Sequence, residues 1–156
     1  TTEIYTLSLH DALPILMAGS GDMLNRCIHH VARLGISDRF HFTGFLRGAD
    51  VQKMFALSDV YIMPSVSEPF GISPLEAMRS NVPTIISKQS GVAEVLKYAI
   101  KVDFWDVDAI ADAIYGLLNY DAMAAMAARC GYDEVNTLKW NNAAYKVKKV
   151  YESVIK

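Results

Sequence analysis

Short apolar runs alternate with helical stretches along most of this sequence, and that alternation limits the folds open to it. Ile15–Ala18 is apolar and is followed by a glycine-rich turn, and Asp59–Met63 is continuous enough for a strand buried on both faces of a parallel sheet. Strands that alternate with helices predict an α/β fold, with a doubly wound parallel sheet and right-handed crossovers. Such sheets bind ligands at the carboxyl ends of their strands.

The pattern predicts five strands and seven helices. The strands are Ile15–Ala18, Arg39–Thr43, Asp59–Met63, Pro83–Ser87 and Ala99–Val102. The helices run from an Asp22 cap to Leu34, with Gly35 at the end, and then over Asp50–Leu57, Ser73–Ser80, Val92–Lys97, Val107–Leu118, Asp121–Glu134 and Trp140–Ile155.

Composition excludes several classes of protein. A length of 156 residues fits one domain, and a net charge of −2 disfavours binding to nucleic acid. The longest apolar runs are far shorter than the ~20 residues that cross a bilayer. Cys27 and Cys130 are isolated, which suits a reducing compartment, so we expect a cytoplasmic protein.

The first fifteen residues, Thr1–Ile15, resemble a translated short-read sequencing adapter. They have no initiator Met and lack the layout of a signal peptide. We therefore expect residues 1–15 to be an adapter-derived artefact. Residues 16–156 are then expected to form one domain truncated at its N-terminus.

The loop after Met63 carries the residues best suited to chemistry. Gly71 permits close approach of a ligand, and the amides of Gly71, Ile72 and Ser73 at a helix start can hold an anion such as a pyrophosphate. Glu68 and Glu76 flank them and can accept hydrogen bonds from sugar hydroxyls. Two plainer interpretations stay open: Glu76 completes a capping box that starts at Ser73, and Glu68 is a solvated loop residue.

Several further motifs stand in one order along the chain, and together with this loop they are similar to a known family. They are Phe42-Thr43-Gly44-Phe45, Ser58-Asp59-Val60-Tyr61-Ile62-Met63-Pro64-Ser65, Glu68-Pro69-Phe70-Gly71-Ile72, Leu75-Glu76-Ala77-Met78, Val82-Pro83-Thr84-Ile85, Gly91-Val92-Ala93-Glu94-Val95 and the late Trp140. The chain resembles the C-terminal, donor-binding domain of retaining glycosyltransferases with the two-domain GT-B fold. Glu68 and Glu76 match the E-x7-E motif of that family.

The resemblance implies a role for each matching position. Glu68 takes the position of the catalytic-site Glu that contacts the donor sugar, and Glu76 that of the Glu that binds the nucleotide ribose. The backbone of Phe70, Gly71 and Ile72 takes the position that faces the sugar and diphosphate, and Leu46 lies where the family's loop lines the base pocket. It also implies no metal and no cofactor, with the nucleotide sugar as substrate.

The sequence departs from the family pattern at some positions. Ser90 precedes Gly91 where the family has paired glycines, and Ser80-Asn81 stands where a Gly is common. The family's basic residues for the donor phosphates and its N-terminal acceptor domain lie upstream of Ile15 and are expected to be missing. Lys88 is read as a solvated loop residue and not as their replacement. Any peripheral membrane association is expected only through the missing domain.

We therefore predict the donor half of a glycosyltransferase that moves a sugar from a nucleotide sugar to an acceptor hydroxyl with retention, inactive as a fragment. Two alternatives remain. One is a non-catalytic sugar-nucleotide or protein-interaction module. The other is a different GT-B-type enzyme, such as an epimerase or a phosphorylase, which the Glu68–Glu76 spacing argues against.

Overall fold

The computed structural model describes residues 14–155, so nearly all of the predicted adapter segment lies outside the described residues. The chain divides into two compact units, one that ends at Val51 and one that begins at Gln52. Strands pair in parallel in both units, as the alternation of strands and helices predicts. The α/β prediction is therefore confirmed, with the strands hydrogen-bonded into one two-stranded and one three-stranded sheet.

The first unit contains a two-stranded parallel sheet and a helix. Its elements are β1 (Ile15–Ala18), α1 (Leu24–Arg33), β2 (Phe40–Gly44) and the beginning of α2 (Ala49–Ala56). Gly35 takes a left-handed φ of 70° just past α1, which supports the prediction that it ends this helix. The predicted Asp22 cap is wrong, because Met23 occupies the N-cap position and no side chain bonds to the free amides.

The second unit contains a three-stranded parallel sheet in the order β3-β4-β5 with helices between and after the strands. Its elements are β3 (Tyr61–Met63), α3 (Ser73–Arg79), β4 (Thr84–Ser87), a 3₁₀ helix (Gly91–Glu94), β5 (Ile100–Val102), α4 (Val107–Asn119), α5 (Asp121–Thr137) and α6 (Trp140–Val154).

The core of the second unit forms on both faces of β4. Ile85 packs in a cluster with Val102 and Leu117, whereas Ile86 packs in another with Met78 and residues of the 3₁₀ helix. Successive strand residues point to opposite faces, so the central strand is covered on both sides. The prediction that Asp59–Met63 is buried on both faces is confirmed in part: Tyr61 packs against one cluster and Ile62 against the other, but both residues are only half-buried.

The short helix predicted over Val92–Lys97 is present but begins and ends earlier. The chain forms a single 3₁₀ turn at Gly91–Glu94. A longer α-helix would need the amide of Lys97 to donate to the carbonyl of Ala93. That amide donates instead to the carboxylate of Glu134, at 2.9 and 3.0 Å, so the chain turns towards β5.

Helix α6 exposes its apolar side chains. None of its residues is buried, and Trp140 is 90% exposed. Among residues 14–155, no helix has the length and apolar character needed to span a bilayer.

Candidate functional site

The candidate site lies at the carboxyl edge of the second sheet, where the loops after β3 and β4 meet. The segment around Glu68 runs parallel to the segment around Ser90, and the two form an isolated bridge. The amide of Gly91 donates to the carbonyl of Glu68 at 2.9 Å, and the amide of Val92 donates to the carbonyl of Phe70 at 2.8 Å. The loop that carries Glu68 is thus held by backbone bonds and is not a free surface loop.

Buried serine hydroxyls reinforce this arrangement. The Ser87 Oγ donates to the carbonyl of Ser65 at 2.6 Å, and the Ser90 Oγ donates to the carbonyl of Ser87 at 2.7 Å. Both serines are at most 2% exposed. Ser90, which stands where the family has a glycine, therefore turns its side chain into the protein and fixes the path of the second loop.

Gly71 lies where a side chain would not fit. Its φ of 88° is in the left-handed region, which favours glycine. A Cβ at this position would come within 3.0 Å of the Met63 Cε and 3.1 Å of the Glu68 Cγ. The close approach of backbone to the carboxylate-bearing loop therefore depends on glycine at this position.

The two carboxylates and three backbone amides here are free of protein partners. Glu68 is half-buried and Glu76 is exposed in the first turn of α3. Within residues 14–155 neither carboxylate takes part in a hydrogen bond or an ion pair, and the amides of Gly71, Ile72 and Ser73 donate to no acceptor. Unpaired acceptors beside unpaired donors leave this part of the chain able to bind a ligand that carries both hydroxyl and anionic groups.

The predicted capping box at Ser73 is wrong. Helix α3 begins at Ser73 with Ile72 at the N-cap, and no side chain caps it. The amides of Leu75 and Glu76 donate to the carbonyl of Ile72 at 2.9 and 3.2 Å. The Ser73 hydroxyl is engaged elsewhere, because the Tyr61 hydroxyl donates to it at 2.7 Å. The plainer interpretation of Glu76 as a member of the capping box is thereby removed.

Tyr61 is the site residue that sequence reasoning missed. Burial of its phenol raises the pKa above the usual 10.0, the Ser73 hydrogen bond lowers it, and the charges of Glu76 and then Glu68 raise it. Both carboxylates therefore lie close enough to act on one phenol. The sequence contained one signal for this role. A tyrosine at the start of an apolar strand is expected to be buried, and a buried hydroxyl needs a hydrogen-bond partner.

Lys88 is held beside the site by an acidic residue after β5. Its Nζ donates to the Asp103 Oδ2 at 2.8 Å, and the Gln89 Nε2 donates to the Oδ1 at 2.9 Å. The hydrogen bond from Lys88, then that from Gln89, lowers the pKa of Asp103 below its usual 3.8. Lys88 is half-exposed and forms an ion pair with Asp103.

The remaining predicted residues divide between the two units. Phe70 and Ile72 lie in the loop before α3 with exposed side chains, together with Gly71 and both glutamates. Leu46 lies in the first unit, half-buried in the loop between β2 and α2. In the described part of the chain, no group of three or more His, Cys, Asp or Glu residues could hold a metal ion.

Known proteins that are similar to this chain identify its family. Residues 4–134 match the family described as glycosyl transferases group 1. An uncharacterized glycosyltransferase of Methanocaldococcus jannaschii is 30% identical over 151 residues, which is 94% of this chain and 38% of that protein. The chain therefore spans less than half the length of this relative.

Two solved structures share the fold. Anabaena HepE in complex with UDP-glucose superposes with a TM-score of 0.78 at 19% identity, over 90% of this chain and 41% of that one. The C-terminal domain of a glycosyl transferase group 1 family protein, LpcC, from Francisella tularensis superposes with a TM-score of 0.68 at 24% identity, over 76% of this chain and 64% of that one. The fold is thus the Rossmann-like half of a GT-B enzyme. The chain belongs to the glycosyl transferases group 1 family.

Proposed function

We propose that this chain is the donor-binding half of a retaining glycosyltransferase, which transfers a hexose from a nucleotide sugar to an acceptor hydroxyl. The observation that carries the proposal is the pair of unpartnered carboxylates, Glu68 and Glu76, on either side of three unpartnered amides. A nucleotide sugar offers hydroxyls to the carboxylates and a diphosphate to the amides. HepE, whose fold this chain shares, was solved with UDP-glucose bound, which supports a donor of this class.

Each site residue would contact a different part of the donor. Glu68 would accept hydrogen bonds from the sugar, and Glu76 from the ribose. The backbone of Phe70–Ile72 would face the sugar and diphosphate. The amides would act most strongly as the diphosphate departs and its charge grows, because fixed donors aimed at developing charge lower the barrier.

Retention requires the new bond to form on the same face of the sugar from which the diphosphate departs. The diphosphate departs with the electrons of its bond to the sugar and leaves an oxocarbenium-like ion. The acceptor hydroxyl attacks from the face that the diphosphate vacates and gives its proton to the departing diphosphate. The chain's own part is to hold the sugar and stabilise the leaving group, which needs no resident metal or cofactor among its residues. The acceptor itself, and the cations for the phosphates, would come from a further domain encoded upstream. We therefore expect the isolated chain to bind donor without turnover.

The origin of the chain belongs to the same proposal. We propose that residues 1–15 are adapter-derived and that the cytoplasmic enzyme continues upstream of Leu16 into an acceptor domain, through which any peripheral membrane contact would occur. Genomic DNA from the source tests this directly. An open frame that diverges from the printed residues and encodes a second α/β domain is expected, and a gene that retains the fifteen codons contradicts it.

Two probes, UDP and UDP-glucose, separate the roles of Glu68 and Glu76 in the isolated chain. UDP contains the ribose and diphosphate, whereas UDP-glucose adds the sugar. By calorimetry, Glu76→Ala is expected to weaken both probes about 10- to 100-fold, the cost of a hydrogen bond to a charged group. Glu68→Gln is expected to weaken UDP-glucose and leave UDP unchanged, because Glu68 faces only the sugar.

Glu152→Gln is the matched control, since it makes the same chemical change on the exposed face of α6. Its ion pairs with Lys148 and Lys149 are 3.7 Å long and exposed, so neither affinity should change. Wild-type affinity for both probes in both site variants would contradict the assigned roles. Failure of the unmodified chain to bind UDP-, GDP- or ADP-glucose at millimolar concentrations would reject the proposed function.

A further inference from the structure

We propose that Tyr61 is a positioning residue of the donor site, which acts through the Ser73 hydroxyl on the first turn of α3. The inference rests on the proposed function, because it concerns how the site around Glu76 is held ready for a donor. Tyr61 is the first residue of β3, and its hydroxyl reaches across the loop to Ser73 at 2.7 Å. The bond joins the strand that precedes the loop to the helix that follows it.

The tyrosine itself is firmly held. Its ring is half-buried and packs edge-on against Phe55, with ring centroids 5.5 Å apart and an interplanar angle of 72°. Phe55 is 3% exposed, so it forms a fixed wall behind the phenol. A hydroxyl on a ring fixed in this way has little freedom to move. Its hydrogen bond therefore fixes the position of the Ser73 side chain.

The residue that receives the bond bears directly on the site. The amide of Ser73 is one of the three that donate to no acceptor among residues 14–155, and Glu76 follows three residues later, about one helical turn on. No side chain caps α3, so the Tyr61 bond and a 3.9 Å contact to the Met63 Sδ are what hold the Ser73 side chain. A shift of Ser73 would move both the amide and the carboxylate.

The protonation state of Tyr61 suits this role. Burial is the largest cause that raises the pKa of the phenol above 10.0; the Ser73 bond, which comes next, lowers the pKa, and the charges of Glu76 and then Glu68 raise it. The phenol therefore stays protonated and able to donate throughout the neutral range. The Ser73 Oγ, which accepts this bond, directs its own proton to the Met63 sulfur.

A double-mutant cycle on donor affinity tests the inference. Tyr61→Phe and Ser73→Ala each remove one partner, and each is expected to weaken UDP binding by the chain about three- to tenfold, the range for one neutral hydrogen bond. The double variant should lose no more than either single variant, because both changes break the same bond. Ser73→Thr retains the hydroxyl and should restore affinity to within about twofold.

Tyr98→Phe is the matched control in the same unit. Tyr98 is 52% exposed, and its hydroxyl has no partner in residues 14–155, so UDP affinity should not change. Circular dichroism confirms folding of each variant before titration, and Ser73→Ala carries the test if Tyr61→Phe does not fold. Unchanged affinity in the single variants, or additive losses in the double variant, overturns the inference while wild-type binding upholds the proposed function. A wild-type chain that does not bind donor rejects both.

Discussion

Gly91→Ala tests how the two site loops are locked together. A Cβ on Gly91 would overlap the carbonyl oxygen of Pro69, and it would lie 2.9 Å from the Pro69 carbonyl carbon and 3.2 Å from the Phe70 Cα. All three are backbone atoms, so no side chain can rotate away to make room. The φ of Gly91 is not in the left-handed region, so the cost comes from this collision and not from backbone strain.

The loss of stability can be estimated from the contacts that break when the segments around Glu68 and Gly91 move apart. To admit the methyl group, the segments must move apart and break the bonds from Gly91 to the carbonyl of Glu68 and from Val92 to that of Phe70. Each backbone bond contributes about 1 kcal/mol, and overpacking costs about 1–3 kcal/mol. The alanine restricts the unfolded chain, which returns about 0.4–1 kcal/mol. The expected loss in the free energy of unfolding is about 2–4.6 kcal/mol.

Urea unfolding followed by circular dichroism measures this loss. Gly21→Ala is the control, because Gly21 lacks a left-handed φ and its added Cβ would meet nothing within 4 Å. We expect the control to stay within about 0.5 kcal/mol of wild type. A Gly91→Ala variant as stable as the control would refute the claim that the loop carrying Glu68 is held by direct backbone contact.

Three further changes probe the scaffold around the site. Glu134→Ala removes the acceptor for the Lys97 amide and should cost about 1–2 kcal/mol in urea unfolding, whereas a loss below about 0.3 kcal/mol would show that water replaces it. Gly116 lies inside α4, where an added Cβ would have only ordinary contacts, from 3.4 Å. Gly116→Ala should therefore raise the free energy of unfolding by about 0.5–1 kcal/mol, and a decrease would contradict that packing. Asp103 has a lowered pKa, so its contribution to stability is present above pH 3.8 and is lost as the pH falls through the lowered value. Asp103→Asn should therefore reduce stability at neutral pH and flatten its pH dependence in acid, and an unchanged acid profile would rule out this linkage.

The sequence predicted the elements whose signals are local. Ile15–Ala18 forms β1 with the predicted bounds, and the helix that Gly35 was expected to terminate ends before it. Asn81, which stands where the family often has Gly, adopts a φ of 61°, a conformation that asparagine tolerates better than most residues. These outcomes depend on backbone preferences of one or two residues, which a sequence states directly.

The site was predictable in its residues but not in how they are held. Glu68, Gly71 and Glu76 fall at one sheet edge, as the carboxyl-end rule for parallel sheets predicts. The capping box failed because a residue twelve positions away, Tyr61, engages the hydroxyl of Ser73. The bonds between the Glu68 and Gly91 segments were also invisible, since contacts between distant parts of a chain leave no local pattern.

A crystal structure of the chain soaked with UDP-glucose is the most direct test of the proposed donor site. We expect diphosphate oxygens within hydrogen-bond distance of the amides of Gly71, Ile72 and Ser73. We also expect the glucose beside the carboxylate of Glu68 and the ribose hydroxyls on that of Glu76. A diphosphate bound elsewhere on the chain, with both carboxylates unoccupied, would contradict it.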